Sequence, residues 1–357
     1  MNIVKYGWAV CFVVGALAFS GPVWGQLTFN TSTSSNAEAD TAFDAATNAW
    51  AIEFDDAMTV NIDISFSNLG GTSLANTASA NQANTFTEFT NAINADVFSA
   101  DDGTFAAGLP VGSSFSVYIN RTTEAAGADN EVPYVDADGG LNNTTVRLTT
   151  ANAKSLGLRS ANDSGLDGTI VFNDSFTWDF DRSDGIDPGA IDFVGVAMHE
   201  IGHVLGFESG VDVLDSNGDG LSTDDEFDFV GSIDFLRFSN ESEVAGADID
   251  WTADDRPKYF SIDGGATPIG GGGSQWATGF EFGDGDQASH WKDGAGLGLM
   301  SPITGSGALV NFTGNDLRAF DVIGYNRFNA VPEPAAMTVM LLASSCLLMR
   351  RRRKTSL

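Results

Sequence analysis

The stretch VAMHEIGHVLGFESG, residues 196–210, decides the fold. Apolar residues begin just before it, and their spacing predicts a helix from about Asp192 to Leu205. Because this helix is apolar almost all round, we expect it to be buried at the centre of its domain. Gly206 follows, and glycine at that position typically ends a helix with a left-handed turn.

Two histidines and a glutamate of this stretch carry its chemistry. His199 and His203 lie one helical turn apart, so both can bind one zinc ion. Glu200 is displaced by about 100° around the axis, from where it can reach a water at the metal. Zinc lowers the pKa of such a water to about 7, and Glu200 would move its proton to a leaving amine. The alternative is a chance match, but these side chains would be costly on a buried helix without a purpose.

A zinc site of this type needs a third protein ligand. Short-spaced versions of the motif place it at position 209, where Ser209 is a poor ligand. The chain has three histidines, and the third, His290, follows His203 after 86 intervening residues. We predict that His290 completes the site. The alternative is an ordinary polar histidine in a loop.

Ten residues after His290 comes Met300, within SHWKDGAGLGLMSP, and LRAFDVIGYN follows. Together with HEIGHVLGF, these segments resemble the leishmanolysin-like branch of the metzincin zinc metalloproteases, in which a long insertion delays the third histidine. The resemblance covers roughly residues 168–326. The resemblance is closest to secreted bacterial zinc metalloproteases that carry a PEP-CTERM signal. The segment YFSIDGG (259–265) is a further point of likeness to them.

The resemblance implies specific roles for these residues. His199, His203 and His290 would bind zinc, and Glu200 would be the general base. Gly206 would turn the chain so that the third ligand can approach, and Met300 would form an apolar floor under the histidines. The alternative for Met300 is ordinary core packing.

The resemblance also implies that a peptide substrate lies antiparallel to an edge strand that precedes the active helix. GTIVFN, residues 168–173, is the candidate strand. The main chain of Thr169, Ile170 and Val171 would bind the peptide by strand addition. An interior strand is the alternative.

A second metal motif is DSNGDGLSTDDE, residues 215–226, which fits the calcium pattern D-x-[DN]-x-[DN]-G-x5-E. No clear helix precedes it, so we expect an isolated structural calcium loop within an insertion at 208–289. Calcium would order the segment that returns His290 to the zinc, although a solvated acidic loop is the alternative. The predicted calcium ligands are the side chains of Asp215, Asn217, Asp219 and Glu226, the carbonyl of Leu221, and Thr223 directly or through water.

Helical and strand patterns are mixed along the chain without regular βαβ alternation, which predicts an α+β fold. We expect a metzincin-like, two-lobed catalytic domain over residues 26–330, with a mixed sheet, the central helix, the methionine turn and a C-terminal helix. Asn315 or Asp316 would cap that last helix. The predicted helices lie at 40–54, 85–98, 151–158, 192–205 and 315–324, and the predicted strands at 59–66, 144–150 and 168–173.

The two ends of the chain are typical of export signals. Residues 1–25 contain Lys5 and a short apolar run, which predicts a signal peptide cleaved by signal peptidase after Gly25. The run is too short to favour a membrane anchor. Residues 331–357 contain Pro-Glu-Pro at 332–334, an apolar stretch at 335–349 and five basic residues at 350–354.

This C-terminal layout resembles the PEP-CTERM sorting signal of Gram-negative bacteria, which a membrane exosortase recognises and removes. The alternative is a permanent membrane anchor with its basic end inside. We therefore expect the protein to be secreted or placed on the cell surface, with only transient membrane contact through this segment.

Cysteine content and charge exclude several classes of function. Cys11 and Cys346 both lie in the terminal segments, so residues 26–330 have no disulfide, thiolate ligand or cysteine nucleophile. The same residues carry 11 basic and 47 acidic side chains, a net charge of −36. Nucleic acids and anionic membranes would be repelled by such a surface.

These patterns predict an exported, calcium-stabilised zinc endopeptidase that acts on proteins or peptides. Two alternatives stay open. One is a surface or matrix protein that binds zinc and calcium without catalysis. The other is a zinc hydrolase of a non-peptide amide.

Overall fold

The computed structural model describes residues 26–218, 220–271 and 275–328. The predicted signal peptide at 1–25, the predicted sorting signal at 331–357 and Asp219 of the calcium motif lie outside these ranges. Within them, no helix is both long and apolar enough to cross a bilayer.

Strands and helices are interspersed along the chain, and the strands form several small sheets, which confirms the α+β prediction. The strands are β1 (Thr28–Thr31), β2 (Thr59–Ser67), β3 (Ala75–Ser79), β4 (Asn81–Thr85), β5 (Val117–Ile119), β6 (Tyr134–Asp136), β7 (Thr145–Thr149), β8 (Gly168–Asn173), β9 (Trp178–Asp179), β10 (Ile191–Asp192), β11 (Arg237–Phe238), β12 (Ile249–Asp250) and β13 (Tyr259–Phe260). The helices are α1 (Ala37–Ala51), α2 (Phe86–Asp96), α3 (Ala100–Gly108), α4 (Leu141–Thr144), α5 (Thr150–Ser155), α6 (Phe193–Val204), α7 (Val211–Asn217), α8 (Asn240–Ala245) and α9 (Gly314–Val322).

The sheet beside the central helix has the strand order β1-β2-β8-β3. β1, β2 and β8 run parallel, and β3 is antiparallel at the edge. Strict alternation over residues 59–66 predicts a strand with Val60, Ile62, Ile64 and Phe66 on one face; in β2 the first three are buried and Phe66 is partly buried. The polar side chains between them lie on the opposite face of the sheet.

The prediction that GTIVFN is an edge strand is wrong. This segment is β8, which pairs with β2 on one side and with β3 on the other. Both rows of main-chain hydrogen bonds at Thr169, Ile170 and Val171 are therefore in use, and no peptide can add there. The free edge on this side of the sheet belongs to β3.

The predicted central helix is α6, and it is buried along nearly its whole length. Asp192 caps its start by accepting a hydrogen bond from the Gly195 amide at 3.0 Å. α1 packs against it, and the Trp50 indole donates to the Met198 carbonyl at 3.0 Å. The strongly apolar character of α6 thus places it between α1 and the sheet.

The C-terminal helix α9 forms where the sequence predicts it, but its cap differs. Thr313 is the N-cap, not Asn315 or Asp316. The Thr313 hydroxyl accepts from the Asn315 amide at 3.2 Å, while the Asp316 carboxylate accepts from the Thr313 amide at 2.7 Å. This is a capping box, in which two free donors at the helix start are satisfied reciprocally.

The predicted insertion at 208–289 contains short helices and strands. Its strand β12 pairs in parallel with β5, so the insertion packs onto an earlier part of the chain. The expectation that no helix precedes the calcium motif is wrong, because α7 spans Val211–Asn217 and includes the first residues of that motif.

Candidate metal centre and cleft

The three histidines converge at one point. The Nε2 atom of His199 lies 3.1 Å from that of His203 and 3.2 Å from that of His290. Tetrahedral coordination at about 2.0–2.1 Å places ligand nitrogens about 3.3 Å apart. Within the described part of the chain, this triad is the group of histidine or acidic side chains that could hold a metal ion.

Hydrogen bonds to main-chain carbonyls orient all three rings. The Nδ1 atom of His199 lies 2.8 Å from the Leu299 oxygen, and that of His203 lies 2.8 Å from the Phe207 oxygen. The Nδ1 atom of His290 lies 3.1 Å from the Gln287 oxygen. A carbonyl can only accept, so each Nδ1 carries the proton and each Nε2 lone pair points to the common centre.

Burial favours the uncharged form of the His203 and His290 imidazoles. Desolvation, aided by repulsion from His199, lowers the pKa of His203 to about 3. Desolvation and the two neighbouring histidines lower the pKa of His290 well below its ordinary value. Neutral imidazole is the form that binds metals, so the donor set fits a zinc ion.

The turn at Gly206 ends α6 and also supports His203. The Gly206 amide donates to the His203 carbonyl at 3.0 Å, and the Phe207 amide donates to the Gly202 carbonyl at 3.1 Å. These two bonds define a Schellman motif, and Gly206 has the positive φ of 117° that it needs. The same turn aims the Phe207 carbonyl at His203.

Ser209, at the short-spaced ligand position, does not face the triad. Its hydroxyl donates to the Asp234 carboxylate at 2.6 Å, and it is 3% exposed. Its side chain is therefore committed to the insertion and not to the metal centre.

Met300 is fully buried and lies directly beneath α6. A Cβ atom at Gly202 would approach its Sδ atom to 2.5 Å, so the close fit requires a helical glycine there. The Asp316 carboxylate accepts from the Met300 amide at 3.2 Å and from the Trp291 indole at 2.8 Å. Asp316 thus ties the turn around Met300 to the residue that follows His290.

Two aspartates of α7 bind residues 281–290, the segment that ends at His290 and is called the arm below. Asp212 accepts from the Ala288 amide at 2.5 Å and from the Ser289 amide at 3.1 Å, and the Ser289 hydroxyl also donates to it. Asp215 accepts from the amides of residues 281 and 282 at 2.8 and 2.9 Å. Both carboxylates therefore bind the returning chain just before its third histidine.

The predicted calcium ligands do not form a continuous loop in the described residues. Asp215 is 2% exposed and faces the arm, and the Asn217 side-chain amide donates back to the Val213 carbonyl at 2.9 Å. Leu221 is 80% exposed, and Glu226 ends a short 3-10 helix that begins just after Thr223. Calcium binding stays a prediction.

Glu200 is buried beside the histidines, at 7% exposure. Desolvation raises the pKa of its carboxyl, while the electrostatic interaction with His199 and a hydrogen bond from Thr77 oppose the rise. The Thr77 hydroxyl donates to Glu200 Oε2 at 2.6 Å. A raised pKa suits a group that takes and returns a proton near neutral pH.

A cleft of about 1450 Å³ passes across the triad. β3 borders it on one side, and segments near His290 and after Met300 border it on the other. Its described lining contains no lysine or arginine. One lining residue, Glu208, accepts from the Ser79 hydroxyl at 2.6 Å, and burial raises the pKa of its carboxyl to about 7.

The sequence did not predict a role at the metal centre for Thr77, Asp212 or Asp316, although Asp316 was a candidate cap of the last helix. Only Asp316 had a usable signal, because T-x-x-D at 313–316 is a capping box. Thr77 and Asp212 act on parts of the chain that are distant in sequence, so no local pattern marks them.

Comparison with known families agrees with this geometry. The Matrixin family model matches residues 145–212, from β7 to the start of α7. The match includes the histidines and glutamate of α6 and supports a metzincin-type, zinc-dependent metalloprotease, which hydrolyses peptide bonds. No curated protein sequence and no solved structure matches the chain.

Proposed function

We propose that the protein is an exported zinc endopeptidase whose metal is held by His199, His203 and His290. The observation that carries the proposal is that the Nε2 atoms of His203 and His290 lie 3.1 and 3.2 Å from that of His199, beside a buried glutamate. When bound, zinc supplies Lewis-acid chemistry, because it polarises a carbonyl and lowers the pKa of water.

Glu200 carries the proton in this proposal. It takes a proton from the attacking water and returns it to the amine that leaves the cleaved bond. Its location one residue after His199 supports this role, since it borders the cleft without sharing the face of the two helical histidines.

Peptide substrate would add to the outer edge of β3. β3 borders the cleft, and its inner edge pairs with β8 through Ala75–Ser79, which leaves its outer edge open. Strand addition there would lay the peptide across the triad. β3 therefore replaces Thr169–Val171 as the proposed substrate strand.

The long separation between His203 and His290 supports the leishmanolysin-like branch within the metzincins. Export by signal peptidase, exosortase processing and a surface or secreted location in a Gram-negative bacterium rest on the terminal sequences. Mass spectrometry of the protein from its native cell tests both cleavages.

A structural calcium ion at residues 215–226 is the second metal of the proposal, and its support is the sequence motif. A calcium-dependent rise in melting temperature that Glu226→Gln abolishes is the expected result. No shift at millimolar calcium would remove calcium from the proposal.

Cleavage of casein by protein purified after export tests the main proposal. We expect zinc-dependent cleavage that a chelator abolishes and that Glu200→Gln reduces by about 10²–10⁴-fold. Glu200→Gln should keep its zinc, so metal content is the matched control. A zinc-loaded wild type that cleaves no protein or peptide would favour the binding protein or the non-peptide amidase.

A further inference from the structure

The carboxylate of Glu200 is tied to the edge strand by a single short hydrogen bond. Thr77 Oγ1 donates to Oε2 at 2.6 Å. The structure describes no ion pair for Glu200 and no hydrogen bond to its Oε1 atom. One carboxylate oxygen is thus held, while the other is free to meet a proton in the cleft that Glu200 lines.

Thr77 occupies a position that can hold this bond rigidly. It is the middle residue of β3 and pairs with Ile170 of β8, which is itself held by β2 on its other side. Its neighbours Asn76 and Ala78 are exposed, whereas Thr77 is partly buried and turns its hydroxyl to α6. Threonine is also restricted at χ1, so its hydroxyl has few alternative positions.

A held carboxylate matters for proton transfer because a glutamate side chain has three rotatable bonds. A charge-assisted hydrogen bond of this length is roughly twice as strong as a neutral one. Preorganising the base avoids an ordering cost at the moment of reaction. Valine at position 77 would keep the shape of the side chain but would leave a buried oxygen without a donor.

We propose that Thr77 is a positioning residue that holds the general base Glu200 for catalysis. This inference rests on the proposed function. The main chain of Thr77 belongs to the strand that would bind the peptide, and its side chain holds the base. Thr77 would therefore fix the position of Glu200 relative to the bound peptide.

The inference predicts a division between kcat and KM. Thr77→Val removes the hydroxyl but leaves the main chain of β3, so peptide binding should persist. We expect kcat to fall by about 10–100-fold, with KM within about threefold of wild type. Thr77→Ser restores a hydroxyl and should recover kcat to within about threefold of wild type.

Ser79→Ala is the matched comparison. It removes a second hydroxyl from the same face of β3, and that hydroxyl also donates to a glutamate, Glu208, at 2.6 Å. The loss of kcat in Thr77→Val should exceed the loss in Ser79→Ala by about tenfold. An equal loss in both variants, a kcat for Thr77→Val near wild type, or a fall in its zinc content would overturn the inference.

A measurement on zinc-free protein separates this inference from the proposed function. Thr77→Val, Glu200→Leu and the double variant form a cycle of unfolding equilibrium constants. A coupling of about tenfold or more is expected for a hydrogen bond to a buried carboxylate. Additive effects show that no such bond exists and overturn the inference, even if the wild type cleaves no peptide. Inactivity of the zinc-loaded wild type, with coupling intact, overturns the function instead.

Discussion

The metal centre has two halves that are built in different ways. His199 and His203 are placed by the backbone hydrogen bonds of α6, which lies buried between α1 and the sheet. His290 lies on an arm outside any helix, and side chains from distant positions hold that arm. Asp212 holds the residues before it, and Asp316 holds the tryptophan after it.

The position of the helical histidines depends on residues close in sequence, whereas the position of His290 depends on residues distant in sequence. The twelve residues of α6 set the spacing of His199 and His203, because spacing along a helix follows from its geometry. The arm needs acceptors contributed by α7 and α9, so its geometry exists only when those helices are in place. Each half should therefore fail for a different reason.

Removal of a proposed ligand from either half should have the largest effect. His203→Ala and His290→Ala should each weaken zinc binding by more than 10–100-fold, which is the typical cost of losing a hydrogen-bond partner of a metal ligand. Competition with a chromophoric chelator measures this. Ser209→Ala is the control and should keep its zinc, because the Ser209 hydroxyl faces Asp234. Undiminished affinity in His290→Ala would mean that the arm is not part of the site.

Loosening the arm should have the next largest effect. Asp212→Asn replaces an oxygen acceptor by an amide donor facing residues 288–289, so zinc affinity should fall by about 10–100-fold. Asp215→Asn should cost less, since its bonds lie further from His290 along the chain. In a His290→Ala background, Asp212→Asn should add almost nothing. A full additional loss there would contradict an action through His290.

Disturbing the end of α6 should be milder and should act on the helical half. Gly206→Ala places a side chain at φ 117° and should cost about 1–2 kcal/mol in the free energy of unfolding. It should also weaken zinc binding severalfold, because the Phe207 carbonyl orients His203. Gly246→Ala, at the left-handed end of α8, is the matched control. It should lower stability similarly without changing zinc affinity.

The smallest expected effect is a pH dependence of stability that comes from the arm. Burial raises the pKa of Asp212 to about 6 from 3.8, so the folded protein holds this proton over that range while the unfolded chain releases it. The contribution of Asp212 to the unfolding free energy should therefore fall as pH rises from about 4 to 6 and stay constant above.

Denaturant titration of zinc-free wild type and Asp212→Asn at several pH values measures this contribution as the difference between the two proteins. The wild type should lose stability relative to Asp212→Asn between pH 4 and 6. Parallel curves over that interval would show that Asp212 titrates at its ordinary pKa.

The sequence predicted those parts whose signals are local. The helix at α6 and its end at Gly206 follow from residue spacing and from the conformation that glycine allows. β2 follows from strict alternation. The interior position of β8 could not be predicted, because its apolar run is compatible with pairing on one side or on both.

The calcium motif is a second case in which residue types alone do not decide the structure. Its residue types match a calcium loop, yet Asp215 lies in α7 and binds the arm. An aspartate oxygen can accept from an amide or bind a cation, and only its neighbours in space decide between the two.

By itself, the sequence determined the α+β class, the central helix, and the presence of two histidines and a glutamate on it, because side-chain types and helical spacing are local properties. It also named His290 as the candidate third ligand, by residue type and number. Only the tertiary structure decided that His290 meets the helical pair, that β3 is the open edge, and that Thr77 and Asp212 hold the parts in place. Those contacts join residues more than seventy positions apart, and packing of the whole chain is what brings such residues together.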